Sequence, residues 1–196
     1  MRAVRLPPFP PVSEGIAVKV LLHICCAPCT IYPLRVLKDQ GHEVTGFFYN
    51  PNIHPYTEFN KRLATVLAFA GVSLLPVLVD DTYDLKRFLE AALPLGKDRC
   101  IACYAMRLER TFKKAAEIEA EAVTATLLYS KYQRHDEVAA VAKELSARYG
   151  IAFLYEDFRE GWREGQDEAR RLGLYRQSYC GCIFSEHERF AQRRKG

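Results

Sequence analysis

No stretch of this chain approaches the roughly 18 consecutive apolar residues that a membrane-spanning helix needs, because Lys19 and His23 interrupt even its most apolar segment. The N-terminal MRAVRLPPFPPVSEG lacks the continuous apolar core of a secretory leader, so the chain is expected to be cytoplasmic, with no membrane partner. No internal repeat, linker or low-complexity block divides it. A glycine-rich phosphate loop, GxGxxG or GxxxxGKS/T, is also missing, which weakens any nucleotide-binding reading. Cysteine, at seven in 196 residues, falls far below the roughly 8–10% of a disulfide scaffold, and a reducing cytoplasm does not keep disulfides. The hydrophobic content of 49% and charged content of 27% are those of a globular protein with a buried core, and the length suits one domain. A net charge of +4 and a pI near 8.6 permit a nucleic-acid partner without requiring one.

Pro7, Pro8, Pro10 and Pro11 mark residues 1–17 as a Pro-rich arm, ahead of a single α/β metal-binding catalytic domain over 18–196. Val18 to Ile24 is nearly continuously apolar, as a parallel strand buried on both faces should be. A helix is expected over 31–40, capped by Thr30, with Pro33 in its first turn and Gly41 after its end. Strands at 43–49, 74–79, 122–128 and 151–155 then alternate with helices at 56–70, 85–92, 101–118 and 135–149. In the 101–118 helix, Ile101, Ala105, Leu108, Phe112 and Ala116 recur at helical spacing, with Arg107, Arg110 and Lys114 on other faces. The remainder reads as mainly helical, Trp162 as a core residue, and the terminal QRRKG as a frayed, solvated end. The pattern predicts a three-layer, Rossmann-like α/β sandwich with a mostly parallel sheet, of the PP-loop or HUP-like kind, and a helical C-terminal part.

The cysteines fall into three tight groups: Cys25, Cys26 and Cys29; Cys100 and Cys103; Cys180 and Cys182. HICCAPC follows the first strand, where open α/β sheets build their sites and where a phosphate loop would otherwise lie. Vicinal Cys25 and Cys26 on extended backbone point apart and are expected to face two adjacent centres. Cys26 and Cys29, like Cys100 and Cys103, have C-x-x-C spacing, which on a helix brings them within reach of one ion or cluster. Asp98 is expected to cap the helix carrying Cys100, whose positive end would then help hold that thiol ionised. Gly181 lets backbone approach a bulky inorganic group. Four thiolates satisfy a structural zinc or a [4Fe-4S] cluster, and the surplus of three points to a cluster beside a mononuclear metal. Ferredoxin spacings are absent. A zinc-bound structural or RNA-binding module, a C-x-x-C thiol redox enzyme and a nucleotide-activating PP-loop-like enzyme are the competing readings.

HICCAPC, FFYNPNIHP with the following Glu58 and Arg62, YDLKRF, DRCIACYAMRLERT, TATLLYSKYQRHDEV, EDFREGW and YRQSYCGCIFS together resemble the non-cobalamin epoxyqueuosine reductases, the QueH family. The resemblance runs from about Lys19 to Glu186. It implies reduction of the epoxide of epoxyqueuosine, at the wobble position of a tRNA anticodon loop, to the alkene of queuosine. It also implies a [4Fe-4S] cluster with an adjacent mononuclear metal, iron or, in the isolated protein, zinc, and an external electron donor. Some members carry Asp at the position of Cys29, and Ala125 and Lys131 stand where the family's TTLxxSP-like stretch has Thr and Pro.

All seven cysteines are expected to be metal ligands, and we assign Cys26, Cys100, Cys103 and one of Cys180 and Cys182 to the cluster, with Cys25, Cys29 and the other late cysteine on the second metal. Candidate proton donors are His23, Tyr49, His54, Asp84 and Tyr104, which lie near predicted strand or helix ends. Asn50, Asn52, Arg159, Arg176 and Gln177 are the candidate substrate-binding residues, through base or phosphate contacts.

Overall fold

A computed structural model of the chain describes residues 17–191; the expectations for most of the Pro-rich arm and for QRRKG lie outside the described residues. Five strands, β1 (Lys19–Ile24), β2 (Glu43–Tyr49), β3 (Val77–Asp80), β4 (Ala122–Ala125) and β5 (Ala152–Phe153), form one sheet in the order β3-β2-β1-β4-β5. Every described pairing is parallel, with His23 opposite Phe47 on one side and Ala125 on the other. The helices are α1 (Ala27–Asp39), α2 (Tyr56–Ser73), α3 (Leu85–Ala92), α4 (Arg99–Glu117), α5 (His135–Tyr149), α6 (Trp162–Arg171) and α7 (Ile183–Phe190). In one helical layer α1 packs on α2 and α6; in the other α4 packs on α3 and α5. This is the expected three-layer parallel sandwich. Val20, Leu21, Leu22 and Ile24 of β1 are all buried, which is why that strand reads as an unbroken apolar run.

The chain winds outward from β1 to β3, then returns to lay β4 on the other side of β1. That reversal makes the carboxyl ends of β1 and β4 a topological switch point, where the two outgoing connections diverge and leave a crevice. HICC leaves β1 there, and Thr126 leaves β4 beside it.

Element boundaries differ from expectation where backbone or side-chain chemistry offers a second solution. α1 starts at Ala27, with Pro28 in its first turn and Cys26 at the cap position. Thr30 does not cap; its hydroxyl donates to the Cys26 carbonyl at 2.8 Å. Pro33 therefore lies inside the helix, where its missing N–H leaves the Cys29 carbonyl without a helical donor. α2 runs through Gly71 to Ser73 and stops on Leu74 in the left-handed region, φ 50°, so β3 begins only at Val77. Residues 126–128, expected to continue β4, coil into a 3-10 turn, and β5 keeps only two residues. Asp98 gives α4 no side-chain cap and faces the Arg134 guanidinium at 3.4 Å instead, because a 3-10 turn over 93–98 runs straight into the helix.

Gly46 of β2 lies where the Ile24 side chain crosses the strand: an added Cβ would sit 2.5 Å from Ile24 Cδ1 and 3.1 Å from Val77 Cγ2. Gly46→Ala should therefore destabilise the fold by about 1–3 kcal/mol through overpacking, read as a lower urea midpoint, and adding Ile24→Val should recover part of the loss.

Candidate metal centre

Cys25 follows β1 directly, and Cys26 holds an extended backbone (φ −169°, ψ 162°) immediately before α1. The sequence expectation that these two side chains diverge fails here: their sulfurs are 3.8 Å apart. Side-chain alternation belongs to a continuing strand, and the chain leaves the strand for the helix between them. One helical turn on, Cys29 closes the group, and the Sγ atoms of Cys25, Cys26 and Cys29 all lie within 4.8 Å of one another. The partition that separates Cys26 from Cys25 and Cys29 thus divides sulfurs that the fold holds together. Two side chains from distant segments hold the trio. The Thr126 hydroxyl accepts the Cys25 N–H at 3.0 Å and donates to Cys25 Sγ at 3.2 Å. The Gln177 amide donates to Cys26 Sγ at 2.9 Å.

The other four cysteines come from the first turn of α4 and from the loop before α7. Cys180 and Cys182 are 3.8 Å apart, with the Ser185 hydroxyl 3.0 Å from Cys180, and Cys182 packs with Cys103 against Phe88 and Ala92. Between Cys180 and Cys182, Gly181 has φ +130°, and a Cβ there would meet Ile53 at 3.0 Å and the Arg62 guanidinium at 3.1 Å. Arg62 is what fixes this loop. Buried on α2, it pairs with Glu58 at 2.7 Å and donates to the carbonyls of Cys180 (2.9 Å) and Tyr179 (3.1 Å). The Tyr175 hydroxyl donates to the second Glu58 oxygen at 2.7 Å, and the His54 N–H donates to the Gly181 carbonyl at 2.8 Å.

Arg107 is expected on an outer face of its helix but is 3% exposed. The buried stripe of α4 runs through Cys103, Tyr104, Arg107, Leu108, Thr111, Phe112 and Ala115, whereas Ile101 is exposed, since the helix turns its thiol-bearing side inward. Arg107 Nε donates to the Cys103 carbonyl at 3.1 Å, and no carboxylate pairs with it among the described residues. Its charge is felt instead by Cys103, Cys25, Tyr104 and Cys180, so one buried cation acts on both cysteine groups. Burial opposes thiolate formation at Cys100 and Cys103, against the expectation that a helix end would ionise Cys100. Hydrogen bonds from Cys26, Cys29 and Thr126 instead pull the Cys25 thiol well below its ordinary value. A hydrogen bond from Cys182, with Ser185 and Arg107 adding, brings Cys180 down to about 5. All seven thiols are free. Sulfurs this crowded suit a thiophilic metal or an iron–sulfur assembly, and two buried arginines suit its negative charge.

The family model described as epoxyqueuosine reductase QueH matches residues 20–188. The chain belongs to the epoxyqueuosine reductase QueH family. It is 34% identical to the Dehalococcoides mccartyi epoxyqueuosine reductase QueH over 90% of this chain and 97% of that one. The corresponding Thermotoga maritima protein is 35% identical over 87% of this chain and 91% of its own length. Among solved structures, that of a predicted tRNA methyltransferase subunit from Methanocaldococcus jannaschii shares the fold, with a TM-score of 0.56 at 14% identity, covering 78% of this chain and 74% of that one. No described helix is long and apolar enough to cross a membrane.

In this QueH-family chain the other candidate residues sort by what they touch. His23 is fully buried, its Nε2 on the Tyr49 carbonyl at 3.0 Å and its Nδ1 without a partner; burial, with Arg107 adding, lowers it to about 4. His54 is 2% exposed and neither ring nitrogen has a partner. Asn50 anchors to the Ile24 carbonyl at 2.8 Å, and the side-chain oxygens of Asn50, Asn52 and Gln177 are buried without donors. Tyr104 is committed, donating to Gln133 at 3.0 Å and accepting the Arg134 N–H at 3.1 Å. Asp84 caps α3 through the Arg87 N–H at 3.0 Å. The Tyr49 ring borders a separate cavity of ≈ 330 Å³ with Asp80, Arg87 and Arg110. Arg159 is exposed and forked onto Asp157 at 2.7 and 2.5 Å, while Arg176 is exposed. Residue order does not single out Arg107 and Thr126 as site residues, and Arg62 stands out only among the residues that carry the family resemblance; the spacing of Arg107, four residues after Cys103, is the only signal for it.

Burial lowers the His54 imidazole from 6.5 to about 4. In the unfolded chain it takes up a proton near pH 6.5, so the unfolded state binds more protons between there and about pH 4, and stability falls as pH drops through that window. The loss should be on the order of 3 kcal/mol, and His54→Leu should flatten that part of the curve in urea titrations at pH 7 and pH 4.5. Arg62→Met should cost about 3–5 kcal/mol, because it leaves Glu58 buried and unpaired, and should lower metal retained per chain.

Proposed function

We propose that this chain reduces the epoxide of epoxyqueuosine in tRNA to the alkene of queuosine. The observation that carries the reading is the trio of free thiols within 4.8 Å at the switch point of a QueH-family sheet, where nucleotide-binding relatives of the fold place a phosphate loop. In the net reaction both epoxide C–O bonds break, two electrons and two protons enter, and the oxygen leaves as water. tRNA and reduced thiols are both found in the cytoplasm, where we place the reaction.

Cys25, Cys26 and Cys29, with Cys100, Cys103, Cys180 and Cys182, are the residues that would hold a [4Fe-4S] cluster and an adjacent mononuclear metal, iron or, in the isolated protein, zinc. When bound, these supply single electrons, replenished by an external donor, and a Lewis acid.

The chain's own side chains do the rest. Arg107 and Arg62 hold positive charge beside the sulfurs and so favour their deprotonated, ligating form. Of the five candidate proton donors, Tyr104 and Asp84 are engaged elsewhere, and His23 spends its Nε2 on the Tyr49 carbonyl. A neutral His23 with its proton on Nε2 presents a lone pair at Nδ1, an acceptor. His54, with both nitrogens unengaged, is the group free to hydrogen-bond the departing oxygen; burial lowers it to about 4, so at neutral pH it does so as the neutral imidazole. The donor-less oxygens of Asn50, Asn52 and Gln177 suit hydrogen-bond donors of a bound nucleoside, since buried acceptors are rarely left unmatched. Anticodon-loop bases can be splayed out to reach such a pocket.

Chain purified without oxygen, or reconstituted with iron and sulfide, should be brown and should convert epoxyqueuosine to queuosine in tRNA when given a reductant, as read by mass spectrometry of the nucleosides. Cys100→Ala should lose the cluster absorbance and the turnover together. A colourless wild-type protein holding a single zinc and leaving the epoxide intact would reject the reading in favour of a zinc-bound module.

A further inference from the structure

The sequence reading of Trp162 as core is only half right: its indole packs on Tyr129, ring centroids 5.1 Å apart, yet it is half-buried and opens onto the surface. There it meets Tyr132, edge-on at 5.5 Å and 75% exposed. The Lys131 ammonium lies over both rings, 5.3 Å from the Trp162 ring and 5.6 Å from the Tyr132 ring. With Arg163, Asp167 and Arg170 these residues border an open depression of ≈ 540 Å³. Asp167 contacts Arg170 and lies 4.0 Å from Arg163, so three cations face one carboxylate. The patch is joined to the thiol site. Thr126, whose hydroxyl touches Cys25, begins the turn that ends at Tyr129, and the Tyr129 hydroxyl donates to the Trp162 carbonyl at 3.0 Å.

We infer that Tyr132 and Trp162 form a stacking platform for an unpaired base of the RNA loop that carries the reacting nucleotide, with Lys131, Arg163 and Arg170 contacting its phosphates. The inference rests on the tRNA reaction proposed above and goes beyond it by naming where the loop lies. Exposed aromatic faces interleaved with cations are what single-stranded nucleic acid needs: every base has a face to stack, and every linkage a charge to neutralise. A protein partner would find few apolar contacts here, because the rest of the depression is lined by the polar and charged Arg163, Gln166, Asp167 and Arg170. Lys131, on a flexible stem, leaves the rings for a phosphate as the base stacks in its place.

The chain has one tryptophan, so its fluorescence reports this patch alone. An unmodified RNA anticodon hairpin titrated into the holoenzyme should quench it saturably, and the binding should weaken steeply as salt rises. Tyr132→Ala should reduce hairpin affinity roughly 5- to 100-fold, Tyr132→Phe should restore it, and Lys131→Ala with Arg170→Ala should shallow the salt dependence. Hairpin retention on a filter without any change in fluorescence, full affinity in Tyr132→Ala, or equal quenching by heparin would each overturn the platform. If wild type turns over epoxyqueuosine tRNA while Tyr132→Ala binds normally, only the platform fails. If wild type quenches on the hairpin yet never reduces the epoxide, the reaction fails and the platform stands.

Discussion

Burying a guanidinium without a carboxylate is unfavourable unless something else nearby carries negative charge, and Arg107, 3% exposed, does this on the inward face of α4. Its charge acts on sulfurs from both cysteine groups, so the ionisation of cation and thiols is linked. The thiols ionise more readily in the field of the guanidinium, and any negative charge they carry offsets the cost of burying it. Arg62 solves the same problem in a second way, with Glu58 as partner and two carbonyls of the late cysteine loop as acceptors. One arginine balances sulfur charge while the other positions the strand of chain that brings sulfur in. Neither role tolerates exchange for lysine easily, since the fork of donors is what each exploits.

The arrangement also explains how a nucleotide-type sheet can serve redox chemistry. At a switch point the polypeptide offers divergent loops and helix starts, and what those loops carry decides the ligand. Here the first loop carries thiols, the β4 loop a hydroxyl aimed at one of them, and the distant C-terminal segment an amide and two further thiols. With the two thiols of α4, a site gathered from four separate stretches can exist only in the folded chain.

Much of the architecture was legible because buried parallel strands and amphipathic helices write their environment into residue order. The five strands and the α/β alternation follow from runs such as Val18–Ile24 and Glu43–Tyr49. Boundaries were less legible, because α1 begins with no capping side chain of its own, and Thr30 and Asp98, both good caps by type, bond elsewhere. The cysteine groups were visible as spacing, but not the closeness of Cys25 to Cys26, which depends on where the strand gives way to the helix. Arg107 was hidden for a simpler reason. An arginine in an amphipathic helix usually faces water, and only three-dimensional knowledge of the sulfurs around it shows why this one does not. Gly181 was anticipated as a place of close approach, though the groups that approach it in the fold are Arg62 and Ile53.

Cys26 and Cys29 straddle the first turn of α1, and each residue added to a helix rotates all later positions by about 100°. The register of that turn is consequently stricter than its chemistry. A different side chain at position 29 would still point into the same space. A single-residue insertion between the two would swing position 29 toward another side of the helix. Along this stretch the number of residues is therefore as strict a requirement as the thiols themselves.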